Sequence, residues 1–231
     1  MKRVLLKISW ESLSSPEKSI DPIQTQKLAE MISIIHATWV ELVLVLGWGN
    51  IYRGSKLIEA GVDGADSHNM SMLSTVFNAV TLKNFLEKIG LECVILDALW
   101  VEFLQEYTAM KARKYIKARK IVICSSGTGT PFFTTDTTGT LRALETHCEA
   151  MIKLTKVDGV YESDPMVHPD AQRFESLSYD EFIQKDLKVL DQTAIIMARD
   201  NNLPIFVSKL DDSATLLDII AGENGGTKIA F

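Results

Sequence analysis

The chain of 231 residues has no stretch near the roughly 20 consecutive apolar residues that a membrane-spanning helix needs, and the apolar run near Met1 is too short for a secretory signal core. A cytoplasmic location and no membrane partner are expected. Cysteine is scarce and odd in number. Cys93 and Cys124 sit in apolar runs, so free thiols in a reducing compartment are expected instead of disulfides. Basic charge is not in excess: 24 Lys and Arg stand against 30 Asp and Glu, a net charge of -6, so no nucleic-acid partner is expected. The four histidines, His36, His68, His147 and His168, show no ligand spacing, so no protein-built metal set is expected. No repeat or Pro/Gly/Ser linker divides residues 1–231, which read as a single domain able to bury a full core.

What is present is an alternation. Apolar runs of strand length at residues 4–8, 42–46, 93–96, 121–124 and 205–207 alternate with longer helical segments, the pattern of an α/β fold around a mostly parallel sheet. Asp21 before Pro22 places a cap before a first-turn proline, and Ser178 with Glu181 has the spacing of a capping box. Residues 72–89 predict a long amphipathic helix, with Met72, Val76, Ala79, Val80, Leu82, Phe85, Leu86 and Ile89 supplying much of an apolar side that covers core or a subunit interface. Residues 137–147 predict another helix.

Chemistry concentrates where strands end. Residues 127–136 read Gly-Thr-Gly-Thr-Pro-Phe-Phe-Thr-Thr-Asp, between a strand and a helix. Gly127 and Gly129 allow close backbone approach, Thr134 and Thr135 add hydroxyls and Asp136 a carboxylate, an inventory for gripping phosphoryl oxygens beside a metal or a lysine. Open α/β sheets bind ligands at such places. The first strand ends on Lys7, Ile8 and Ser9, an ammonium and a hydroxyl at its exit. The second runs into Gly47, Trp48, Gly49 and Asn50, with Arg53 suited to bidentate contact with phosphate. Three strand exits thus offer groups for one anionic ligand. A fourth segment joins a short strand at residues 153–155 to a turn carrying Tyr161 and Asp164, which fits either contacts to a base and ribose or a plain surface turn.

These pieces, with Met70, Met72 and Leu73, Thr155-Lys156-Val-Asp-Gly-Val160, Asp164-Pro165, Leu187-Lys-Val189, Asp191 and Ala198-Arg199-Asp200, closely resemble the bacterial uridylate kinases of the amino acid kinase superfamily nearly end to end. The resemblance implies a three-layer αβα sandwich with UMP on its N-terminal part and ATP on its C-terminal part. It implies a cytoplasmic homo-hexamer that transfers the ATP γ-phosphoryl to UMP, with Mg²⁺, in pyrimidine nucleotide synthesis. It is distinct from the P-loop kinases, whose Gly-Lys-Ser/Thr motif is absent here. By position, Lys7 and Asp136 take catalytic roles. UMP binding is implied for Trp48, Arg53, His68, Thr128, Gly129, Thr130, Pro131, Phe132, Phe133, Thr134 and Thr135. ATP binding is implied for Lys7, Ile8, Ser9, Trp10, Gly49, Arg53, Thr155, Tyr161 and Asp164.

The departures fall in the same loops. Trp10 and Trp48 stand where the family has glycine, His68 where it has an aspartate (with Asp66 nearby), Gly64 where it has an arginine, Ser71 where it has a glycine, and Thr130 where it has an asparagine. The two indoles are expected to crowd the space glycine leaves for phosphates. An alternative therefore stands beside the kinase: an impaired homologue that serves as a nucleotide-binding or oligomeric scaffold. Residues 13–21 lack the family's glycine-rich pattern near its GTP effector site, so activation by GTP is not expected. A kinase acting on a carboxylate or carbamate is disfavoured by the match from Pro131 to Thr135.

Overall fold

Period-two alternation along the strands sorts the apolar side chains into two layers. The structure is a computed structural model describing residues 1–51, 54–223 and 225–231, the side chains of residues 54–56 excepted. In chain order its elements are β1 (Arg3–Ile8), a 3-10 turn (Trp10–Leu13), α1 (Pro22–His36), β2 (Glu41–Leu46), α2 (Gly54–Glu59), α3 (Gly64–Lys88), β3 (Cys93–Asp97), β4 (Gln105–Glu106), α4 (Ala109–Lys117), β5 (Ile121–Ser125), α5 (Thr135–Glu145), β6 (Ala150–Thr155), β7 (Val160–Tyr161), β8 (Arg173–Phe174), β9 (Ser176–Ser178), α6 (Tyr179–Gln184), α7 (Gln192–Asp200), β10 (Ile205–Lys209), α8 (Ser213–Ala221) and β11 (Thr227–Ala230). All five expected strands form, flanked by the Asp21 cap and the Ser178–Glu181 capping box.

Nine strands make one sheet in the order β4-β3-β5-β2-β1-β6-β10-β11-β9, and only β10 with β11 runs antiparallel. Val4, Leu6 and Ile8 of β1 face a core shared with α1, α3 and α8, whereas Leu5 faces a second core shared with α4, α5, α6 and α7. The architecture is thus the three-layer αβα sandwich. Burying both faces explains why the central strands are almost continuously apolar.

Helix α3 starts at Gly64, well before residue 72, because Asp63 caps it by accepting from Ala65 N and Asp66 N. Its first turns are polar, so no apolar stripe announces them. Helix α5 starts at Thr135, two residues before the expected 137, with Thr134 accepting from Asp136 N and Thr137 N. All three cysteines are free and buried. Burial pushes the Cys93 thiol up to about 11 and the Cys124 and Cys148 thiols up to about 12, so none is a poised nucleophile. No helix of the described residues is long and apolar enough to cross a membrane.

Candidate active site

The site grows from the pairing of β1 with β6. Lys7 and Lys153 are register partners on these neighbouring parallel strands, near their carboxyl ends. Each is only 7% exposed. Two buried ammoniums side by side require an anion. Helix α5 supplies it: Asp136 Oδ1 lies 2.9 Å from Lys7 Nζ, and Oδ2 accepts from Lys153 Nζ at 2.7 Å. Burial would raise the Asp136 carboxyl, but the Lys153 and Lys7 ammoniums win and hold it at about 2. Burial lowers Lys153 to about 8, against the Asp136 carboxylate, which favours its charged form.

The geometry depends on how closely α5 lies on the sheet. A Cβ on Gly139 would come within 2.7 Å of Met151 Sδ and 3.4 Å of Lys7 Cβ. A helix-interior glycine sacrifices about 1 kcal/mol of propensity, and here its missing side chain admits the helix beside β1 and β6. The start of α5 is tied to the start of α7 by Asp191, which accepts from Thr137 Oγ1 at 2.9 Å and from Thr134 Oγ1. The Thr134 hydroxyl proton is therefore committed to Asp191 and is not aimed at a ligand.

A cavity of about 470 Å³ opens over Lys7 and Ser9, walled by Trp10, Trp48, His68 and Phe133. The two indoles line this space without filling it. Trp10 lies flat against the next loop, for a Cβ on Gly49 would meet its Nε1 at 2.5 Å. That loop is held from α3 by Asn78, fully buried, which donates to Gly47 O at 2.7 Å and pairs amide to amide with Asn50. Beyond Trp48 and His68, the loop after β5 meets α3 in a cleft of only about 10 Å³, bordered by Thr75, Gly127, Thr128 and Thr135. The ring of His68 is 5.0 Å from that of Phe132, which is exposed. Thr128 Oγ1 accepts from Thr130 N and donates to Thr130 O, closing the loop tip.

A model of the amino acid kinase family matches residues 2–209. The chain belongs to that family. It is similar to proteins named uridylate kinase: 40% identical over 230 residues to that of Roseobacter denitrificans (99% of this chain, 95% of the relative), and 41% to that of Cereibacter sphaeroides (99% and 94%). Among solved structures, the UMP kinase of Bacillus anthracis superposes with a TM-score of 0.95 at 31% identity, covering 99% of this chain and 96% of the other. That of Ureaplasma parvum gives 0.92 at 33%, with 100% and 99% covered.

In this amino acid kinase the remaining expected residues divide by place. Ile8 is wholly buried, so only its main chain reaches the site, its carbonyl accepting from Gly47 N at 2.9 Å. Arg53 lies outside the described residues. Tyr161 and Asp164 border a separate cavity of about 350 Å³ with Gly159, Pro165 and Val189. Tyr161 donates to Asp158, and Asp164 Oδ1 accepts from Met166 N, so this segment is also a self-bonded turn. Thr155 instead borders a cavity of about 630 Å³ between α1 and the end of β10, away from the lysine pair. The sequence reading overlooked Lys153, Gly139, Asn78 and Asp191 as parts of the site. A signal for Lys153 exists: it is a lone charge between Ile152 and Leu154 in an otherwise uncharged strand.

Proposed function

We propose that the protein is a uridylate kinase, transferring the γ-phosphoryl group of ATP to UMP to give UDP and ADP. The observation that carries this reading is the Lys7–Asp136–Lys153 arrangement, two buried ammoniums held by one carboxylate, with Lys7 lining a cavity large enough for a nucleotide's phosphates. An oxygen of the UMP phosphate attacks the γ-phosphorus as the bond to the β–γ bridging oxygen breaks, and negative charge spreads over the transferred group. Lys7 and Lys153 neutralise that charge, and Asp136 keeps both ammoniums aligned. No covalent intermediate is needed. The loop from Thr128 to Thr135, with Trp48, His68 and Arg53, receives UMP. Ser9, Trp10, Gly49 and the cavity of Tyr161 and Asp164 receive ATP, while Thr155 borders the neighbouring cavity beside α1.

Among the described residues no cluster of three or more His, Cys, Asp or Glu side chains could cage a metal. Asp136 is taken up by the Lys7 and Lys153 ammoniums, so a Mg²⁺ brought with ATP would be held by phosphate oxygens and water instead of by a protein carboxylate cage. When bound, the ion supplies charge neutralisation between phosphate oxygens, the usual habit of a cation that keeps several waters. A homo-hexamer in the cytoplasm, feeding pyrimidine nucleotide synthesis, accords with the resemblance. Leu73 and Phe77, exposed on α3, form part of an apolar stripe that a second copy would cover.

An ADP-release assay with ATP, Mg²⁺ and UMP, run beside CMP, AMP and GMP, tests the reading. Turnover with UMP well above the other three is the expected result. Absence of turnover with all four would leave the scaffold alternative standing, for which no feature of the site now speaks.

A further inference from the structure

The carboxylate of Asp97 belongs to no element of the site described so far, yet it lies beneath the loop that follows β5. Asp97 ends β3, is 0% exposed, and is the register partner of Ser125 on β5. Its Oδ1 accepts from Ser125 Oγ at 2.7 Å and from Ser126 Oγ. Its Oδ2 accepts from Leu99 N at 3.0 Å and Val101 N at 3.2 Å. All four donors come from the two chain segments that leave the sheet side by side.

Ser126 is in the left-handed conformation, with φ of +60°, a region that residues with a Cβ disfavour. It is pinned there twice, by its hydroxyl on Asp97 and by its N–H on Thr75 Oγ1 at 2.7 Å. The turn that follows depends on this pose, because Gly129 N donates back to Ser126 O at 2.9 Å. Gly129 in turn rests on the residue after Asp97, a Cβ there falling 2.8 Å from Ala98 O. One buried carboxylate thus fixes both the entry to the loop and the floor beneath its tip.

We propose that Asp97 is a positioning residue for the nucleoside monophosphate, holding Ser126 left-handed so that the loop from Gly127 to Thr130 presents one backbone geometry to the acceptor substrate. The proposal rests on the reading of that loop as the UMP site. Asp97→Asn offers an amide group where a donor now points, and should raise KM for UMP by about tenfold, the scale of one lost buried hydrogen bond, while KM for ATP stays within about twofold. Adding Ser126→Gly should recover much of the loss, since glycine takes the left-handed pose without a tether.

Where Asp97→Asn fails to fold, Ser126→Ala and Ser126→Gly decide. Alanine keeps the disfavoured Cβ and loses the hydroxyl, so its KM for UMP should exceed that of the glycine variant by about threefold or more. Hydrogen exchange of the amides at residues 127–130 in the ligand-free protein should be faster in Ser126→Ala than in the parent. Equal KM values for the two Ser126 variants with parental exchange would overturn the proposal. So would an Asp97→Asn protein whose two KM values rise together without rescue by glycine. Should the parent not phosphorylate UMP at all, the uridylate reading fails, while the exchange comparison still decides whether Asp97 and Ser126 set the loop.

Discussion

The loop after β5 and the paired loops after β1 and β2 use glycine for different reasons. After β5, Gly127 and Gly129 have φ of +57° and +78°, so the backbone itself demands a residue without a Cβ. At the exits of β1 and β2 stand Trp10 and Trp48, where the resemblance leads one to expect glycine, and neither has a positive φ. Glycine is therefore not a conformational necessity there. It leaves room, and in this chain the room is taken by an indole lying on Gly49. One loop is limited by dihedral angles, the other by space. Replacing glycine in the first deforms the chain, whereas in the second it redistributes contacts and leaves a cavity of about 470 Å³.

The largest expected effect falls on the anchor common to both loops. Asp136→Asn leaves Lys7 and Lys153 buried beside a neutral amide, and should lower kcat on the order of 10²-fold or more and stability by roughly 3 kcal/mol. The coupled assay and denaturant unfolding would read the two losses, and a kcat near the parent's would remove Asp136 from the machinery.

Gly129→Ala comes next. A positive φ and an approach of 2.8 Å to Ala98 O leave no place for a methyl group, so a loss of roughly 2 kcal/mol and a raised KM for UMP are expected. Gly49→Ala should cost less, roughly 1 kcal/mol, because its obstacle is the Trp10 ring, a side chain that turns aside. If both substitutions lowered the melting temperature equally, the contrast between the loops would collapse.

The pH dependence separates the members of the anchor. The Asp136 carboxyl is held at about 2 against an ordinary 3.8, so the unfolded chain binds the extra proton between those values. Roughly 2 kcal/mol of stability, fully present above pH 4, should be lost as pH falls through that window, and Asp136→Asn should flatten the slope. Lys153, lowered to about 8 against 10.5, gives up its proton in the folded protein first. Because the unfolded chain holds this proton longer, stability should rise between those values, while kcat should fall as the ammonium is lost. Melting and turnover profiles taken together over pH 7 to 10 would show these opposite trends.

The smallest effect is expected at Trp10. Because its indole lines the cavity without closing it, Trp10→Gly should change KM for either nucleotide by less than about threefold and lower the melting temperature by a few degrees. A large gain in turnover would mean that the ring obstructs the phosphates after all.

Much of the architecture is local and was therefore readable. The five strands, the Asp21 cap, the Ser178–Glu181 box and the three exit loops are each written within a few consecutive residues. The start of α3 escaped because its first turns are mostly polar, and α5 began early because Thr134 serves as its N-cap. Lys153 and Asp97 are lone charges in otherwise uncharged strands, a signal that something must pair with them, but the partners lie far off in the chain and so stay hidden.

By itself, then, the sequence determined the alternation of strands and helices, the placing of glycine, threonine and charge at strand ends, and the family. Periodicity, caps and motifs act over a few residues. Only the tertiary structure decided that Lys7 and Lys153 stand side by side, that Asp136 lies between them, that Gly139 lets α5 approach, and that Trp10 rests on Gly49. Those contacts join residues far apart in the chain, and they follow from strand order and register, which arise when the whole sheet buries both its faces.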